Sequence, residues 1–409
     1  MRLAWILLMA FVSLLLNMSR DICVAQNARV MVRDSVGTHI VENRLPAWRV
    51  GESWSINATP VAQIGTVEGE DPYVFGMIST ARRHPEGTVA VVEWASYEIR
   101  LFDSSGRHVL RFGGYGGGPG EFKARPAIAF ALPDTLVTWD AQQQRLTWFS
   151  LEGEVLSDLS LMNPLSGVSL GRPGIGTWQL LPDGTVLSAG VETDPGAEGT
   201  QWYRSFDLIH AFGDSVTHIA RYPTEWTARV DGRAFAPPFS STRPGCLGTD
   251  HRVYVASADT WEVSVFDRAG RLVELVRAPI PRRPITNEMR SAAREEARKS
   301  LGRGGRDARR ALRRYDEFEI PDSLPAIREI ICDDAGYLWV GRRETYLRRT
   351  TRSASVFDTI DAGGRWLGSV DMPSGLDRVL EIRNGFVLAV WKDENEVSFL
   401  RIYAIHRPD

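Results

Sequence analysis

The chain is poor in lysine: of its 48 basic residues only Lys123, Lys299 and Lys392 are lysines, and the rest are arginine. An arginine cluster must therefore stand out from a high background before it carries meaning. Cysteine is scarce too, limited to Cys23, Cys246 and Cys332. With no CxxC pair and seven histidines scattered without ligand spacing, the pattern argues against a metal site, and no cofactor is expected. An excess of one charge is also missing. A formal net charge of −3 over 409 residues offers no field for a polyanion, so nucleic acid is not an expected partner. No Gly-x-Ser-x-Gly elbow occurs, which leaves a serine hydrolase of the α/β type unsupported. What remains, 43% hydrophobic and 24% charged residues, is the composition of a globular chain with a sizeable core.

The N-terminus runs from Arg2 through apolar residues 3–16 to polar residues 17–21 and the small residues around Cys23-Val24-Ala25. Roughly 14 apolar residues fall short of the ~20 that cross a bilayer. The order is that of a secretory signal peptide over 1–25, cleaved after Ala25, and it implies export to the periplasm or beyond. Lipid attachment at Cys23 is the alternative, but Ile22 is bulky where such a site wants a small residue.

Self-similarity dominates the rest. An aromatic-Asp strand end followed by a glycine turn recurs at Phe102-Asp103, Phe149-Ser150, Phe266-Asp267 and Phe357-Asp358, with weaker copies at Phe206-Asp207 and Ile402-Tyr403. Ahead of each lies a turn and an apolar strand, as in Pro182-Asp183-Gly184 before Val186 or Asp334-Ala335-Gly336 before Leu338. The step from Phe102 to Phe149 is 47 residues, and that from Phe357 to Ile402 is 45. Such steps fit a four-stranded blade, and six units imply an all-β, six-bladed β-propeller. Within residues 48–64 lies the expected closing strand, pairing beside the last strand near 401–405 so that no edge stays open. The expected division is an N-terminal extension over 26–47 and a propeller over 48–409. Cys246 and Cys332 fall on adjacent inner strands, expected to diverge beyond the ~7 Å Cα separation a disulfide tolerates, so no bond is expected.

One step is overlong. Between the fourth and fifth units, residues 282–325 read as a basic helical insertion, with a helix from about 287, glycines at 302, 304 and 305, and a second helix from about 306 to 315. It reads first as a solvated helical hairpin laid across one blade loop, and in the alternative its arginines would dock an acidic partner or an anionic membrane surface.

The stretch Gly117-Gly118-Pro119-Gly120-Glu121-Phe122 after an Ile-Arg-Leu-Phe-Asp strand resembles a turn of bacterial exported six-bladed propellers, relatives of the NHL-repeat proteins. The strand Asp334-Ala-Gly-Tyr-Leu-Trp-Val340 and the arginine-rich insert before it are similar to features of the same group. The resemblance implies the fold over about 60–406 and names no activity. Read physically, the glycine loop is a tight crossover between blades rather than a phosphate cradle, because no helix follows Phe122.

Function is less legible. Arginine recurs at the start of the expected innermost strands, at Arg125, Arg172, Arg243, Arg328 and Arg378. In a closed ring these positions share one end of the channel and would bind a carboxylate, phosphate or acidic peptide. The leading expectation is a monomeric, non-catalytic binding scaffold for a protein or small anionic ligand. The alternative is a lyase or lactonase of the propeller kind.

Overall fold

The computed structural model describes residues 29–131, 133–160, 179–188, 201–212, 215–230, 233–235, 239, 244–257, 259–301, 320–344 and 354–408. It is mostly β, and the described strands form six sheets. The first sheet holds Ile78–Arg83, Val89–Glu93, Glu98–Phe102 and His108–Gly113, and the second Ala127–Ala131, Thr135–Asp140, Arg145–Ser150 and Val155–Ser160. The third starts at Gln179–Leu180 and contains a long hairpin, Gln201–Phe212 with Ser215–Val230. Gly245–Leu247 opens the fourth, Ile327–Cys332 the fifth and Leu376–Arg383 the sixth. The first two strands of each sheet pair antiparallel.

Burial follows position in the sheet. Val89–Glu93, a second strand, is buried at every residue, because neighbouring sheets cover both its faces. His108–Gly113, the fourth strand, alternates half-buried and exposed residues, the period-2 signature of a strand with one face in water. The first strands of successive sheets touch, Ile78–Arg83 against Ala127–Ala131, Gly245–Leu247 against Ile327–Cys332, and Leu376–Arg383 against Ile78–Arg83. Between the third and fourth sheets, the Gln179 side chain donates to Leu247 O at 3.0 Å and accepts from Leu247 N at 2.7 Å.

The sixth sheet is completed from the N-terminal side, as the sequence implies. Ala62–Ile64 pairs with Leu400–Ile402, and Ser55–Ile56 pairs with Ile405 and His406. The hydrophobic cluster there joins Ile64 and Leu400 to Ile78, Val89 and Phe102 of the first sheet.

Several details differ from the sequence reading. Residues 30–43 within the expected extension are a hairpin, Val30–Ser35 with Thr38–Asn43, added in parallel to the outer strand Leu272–Arg277 of the fourth sheet. Cys246 and Cys332 are joined, with Cα atoms 5.9 Å apart, because the two first strands run close enough for a bond. The repeat at Phe357-Asp358 is out of phase. Strand Val356–Ile360 continues through Asp358, and the turn aspartate is Asp361, which accepts from Gly363 N and Arg365 N as Asp103 accepts from Ser105 N and Arg107 N. Asp358 is buried instead, bound by Arg342 and the Trp261 indole.

The helix Asn287–Leu301 lies between the fourth and fifth sheets in the chain, and Ala293 and Met289 pack on Ile285, Leu324 and Phe239. The second expected helix falls outside the described residues. No described helix is long and apolar enough to cross a membrane.

Candidate functional site

A cavity of about 70 Å³ opens where the C-terminal ends of the first strands converge, and every sheet contributes to its wall. Phe130 comes from the second sheet, Leu180 from the third, Leu247 from the fourth and Ile331 from the fifth. Arg82 and Arg83 end the first strand of the first sheet, and Glu381 and Arg383 end that of the sixth. The volume suits a few waters or a small ion.

Charge is concentrated at the seam between the first and sixth sheets. The Glu381 carboxylate lies 3.2 Å from Arg383 Nε and 3.8 Å from Arg82 Nε, and it accepts from the Arg83 amide at 2.9 Å. Arg82 also donates to the carbonyls of Ala81 and Leu380 and to the Thr80 hydroxyl. Burial pushes the Glu381 carboxyl upward, against the pull of Arg82 and Arg383. It pushes Arg82 downward, against the pull of Glu381. A guanidinium begins so far above neutrality that desolvation does not discharge Arg82 near pH 7. Arg83 stacks its guanidinium 4.3 Å from the Phe386 ring centroid. Three arginines thus surround one lining carboxylate, with Asp334 as a further acid acting on Glu381 from the adjoining turn.

Of the arginines expected from the sequence, the three that are described sit elsewhere. Arg172 and Arg243 fall outside the described residues. Arg125, Arg328 and Arg378 are not in the cavity wall, and each lies two to four residues upstream of a residue that is. Arg125 stacks over Trp94 and Tyr97 at 3.9 and 4.3 Å and donates to Trp94 O. Arg328 reaches Glu329 at 3.8 Å. Arg378 donates to the carbonyls of Ile78 and Ser79 and pairs with Asp377 at 3.5 Å. The sequence carries only a partial signal for the wall arginines: Arg83 and Arg383 each end a first strand directly before its turn.

The glycine loop is closed on itself. Gly116 N donates to Phe122 O, Phe122 N to Gly114 O, and Gly118 N to the Glu121 carboxylate. Among the described residues no group of three or more His, Cys, Asp or Glu is arranged to hold a metal ion.

No family model matches the chain, and comparison with curated proteins gives no match. Among solved structures, a member of the DUF4221 family from Bacteroides vulgatus is similar over 87% of this chain and 99% of its own, with 10% identity and a TM-score of 0.54. A protein from Bacteroides fragilis, described as exported, covers 90% of this chain and 100% of its own at 11% identity and a TM-score of 0.47. A virginiamycin B lyase from Staphylococcus aureus covers 86% and 99% at 7% identity and a TM-score of 0.39. Propeller-type folds are among these neighbours. Only the first likeness is close enough to speak for a shared fold, and none carries an activity across.

Proposed function

We propose that the chain is an exported six-bladed β-propeller that binds a small anion, a carboxylate or phosphate, at the end of its central channel. One observation carries this reading: the cavity shared by all six sheets is lined by Arg82, Arg83 and Arg383 around a single lining carboxylate, Glu381. Arg82 is held in place by Glu381 and backbone carbonyls, so it acts as fixed charge. Arg383 and Arg83 are the groups with capacity to meet a ligand, and bidentate hydrogen bonds from their guanidinium forks would orient it. Near the N-terminal ends of two of the same strands, Arg328 and Arg378 add positive charge that would draw anions toward the cavity.

The test is calorimetric titration of the mature chain with succinate and with inorganic phosphate at low salt. Binding of either should weaken as salt rises and fall about tenfold in Arg383→Gln, a loss of one charge-assisted contact. Absence of binding by both anions at millimolar concentration, or an unchanged affinity in the variant, would refute the site.

A further inference from the structure

A second surface lies around the loop that joins the first and second sheets, outside the channel. Five side chains form one continuous patch there, and Met77 adjoins it along the backbone. Arg125 stacks on Trp94 and Tyr97, Tyr97 meets Tyr115 edge-on with ring centroids 5.2 Å apart, and Lys123 Nζ sits 5.1 Å from the Tyr115 ring centroid. The Met77 carbonyl accepts from Trp94 N. Three of these residues are exposed, Tyr115 at 64%, Met77 at 43% and Trp94 at 36%.

Exposure of this much aromatic surface opposes solubility unless something covers it. The composition is also that of a protein interface centre, where Trp, Tyr, Met and Arg are enriched. Its charge gives the sign of the partner. Neither Arg125 nor Lys123 pairs with a carboxylate among the described residues; their charges rest on ring faces and on the Trp94 carbonyl. The three nearby acids are already engaged, Asp140 by the amides of Lys123 and Ala124. Glu93 is buried and accepts from the amides of Met77, Ala95 and Ser96, and Glu121 turns into its own loop to accept from Gly118 N. The loop's shape fixes the platform: an added Cβ at Gly113 would meet the Phe122 ring at 2.8 Å, and one at Gly116 would collide with Glu121.

We infer that this patch docks an acidic protein segment that also carries aromatic side chains. Its carboxylates meet Arg125 and Lys123, and its rings meet Trp94, Tyr115 and Met77. Arg125 and Lys123 are presented by stacking, so the partner loses little entropy in ordering them.

The experiment uses the full mature chain immobilised for biolayer interferometry, with a random Glu–Tyr copolymer as probe and polyglutamate and polylysine as comparisons. The copolymer should bind more tightly than polyglutamate, and polylysine should not bind. Tyr115→Ala and the pair Lys123→Gln/Arg125→Gln should each weaken copolymer binding about tenfold. Thermal melts of these variants confirm that they fold, and Arg383→Gln, which alters the channel, should leave copolymer binding intact. Equal binding of the two acidic polymers, or variants that bind as the parent does, would overturn the inference. So would a concentration-dependent dimer that Tyr115→Ala abolishes, since the occupant would then be a second copy of the chain.

Discussion

Cys246 and Cys332 are bonded across the boundary between the fourth and fifth sheets, 86 residues apart in sequence. Both lie on first strands, and Cys332 also forms part of the cavity wall. A bond closing so long a loop removes chain entropy from the unfolded state, on the order of 4 kcal/mol in the loop-closure account. The double variant Cys246→Ser/Cys332→Ser should therefore lose about 2–4 kcal/mol in denaturant unfolding. Mass mapping without reduction should recover the joined peptides from the parent, and recovery of two separate thiols would reject the bond.

Glu381 supports a second prediction, because it is the shared counter-charge of Arg82 and Arg383. Glu381→Gln leaves two guanidinium groups facing each other without that carboxylate, a change that costs about 3–5 kcal/mol for a buried pair. Replacing both members of the inner pair, Arg82→Met with Glu381→Leu, should cost less than Glu381→Gln alone, since no charge is stranded. If the costs of the two sites simply add in denaturant melts, the coupling is absent.

How much of this was legible can be judged residue by residue. The repeat and a closing strand somewhere within 48–64 could be read because period-2 burial and glycine turns are local signals, written within a few residues. The phase error at Asp358 arose because Phe357-Asp358 mimics a strand end, while the true turn, Asp361 to Arg365, lacks the aromatic before it. Long-range facts were hidden. Nothing near Ile40 says that it joins a strand over two hundred residues away, and no local feature sets the Cys246–Cys332 distance. The wall arginines were missed for a related reason: which arginine of a strand reaches the channel depends on the register of a neighbouring sheet.

Gly368 predicts how the N-terminal segment is held. A Cβ at this position would lie 2.2 Å from Trp48 Cε3, and the amides of Ala47 and Trp48 donate to the carbonyls of Trp366 and Leu367. Gly368→Ala should push Trp48 off the fifth sheet and cost about 1–3 kcal/mol, as overpacking does. Tryptophan emission should shift to longer wavelength; a variant with unchanged spectrum and unfolding midpoint would mean that the contact yields without cost.

Asp103 gives a prediction in pH. The Ser105 hydroxyl and the Arg107 amide hydrogen-bond its carboxylate and hold its pKa down at about 2. An unfolded aspartate titrates near ~3.9, so the folded value is the lower of the two and the contribution is complete above about pH 4. It is lost as the pH falls toward 2. The carboxyl carbon shift of Asp103 should therefore titrate near 2 by NMR, and in Ser105→Ala it should move up toward the ordinary value. A midpoint near 4 in the parent chain would show that the turn does not hold the charge.

Closure of the sixth sheet makes the last prediction, and it concerns the whole molecule. Leu400 is fully buried between Ile64 of the closing strand and the cluster of Ile78, Val89 and Phe102 in the first sheet. The strand on which it sits pairs on one side with Phe386–Lys392 and on the other with Ala62–Ile64, so it joins the two ends of the chain. If the six sheets depend on one another, loosening this joint should not melt one sheet alone, because each sheet covers a face of its neighbours. Leu400→Ala should then lower the unfolding free energy by about 2–5 kcal/mol, the usual cost of a buried leucine cavity. The loss should appear as a shift of one cooperative transition, followed both by tryptophan emission and by far-ultraviolet dichroism. Two separated transitions, or a sixth sheet that melts early while the Cys246–Cys332 region stays protected from hydrogen exchange, would show that the sheets are independent and that the ring does not close on the contact between Ile64 and Leu400.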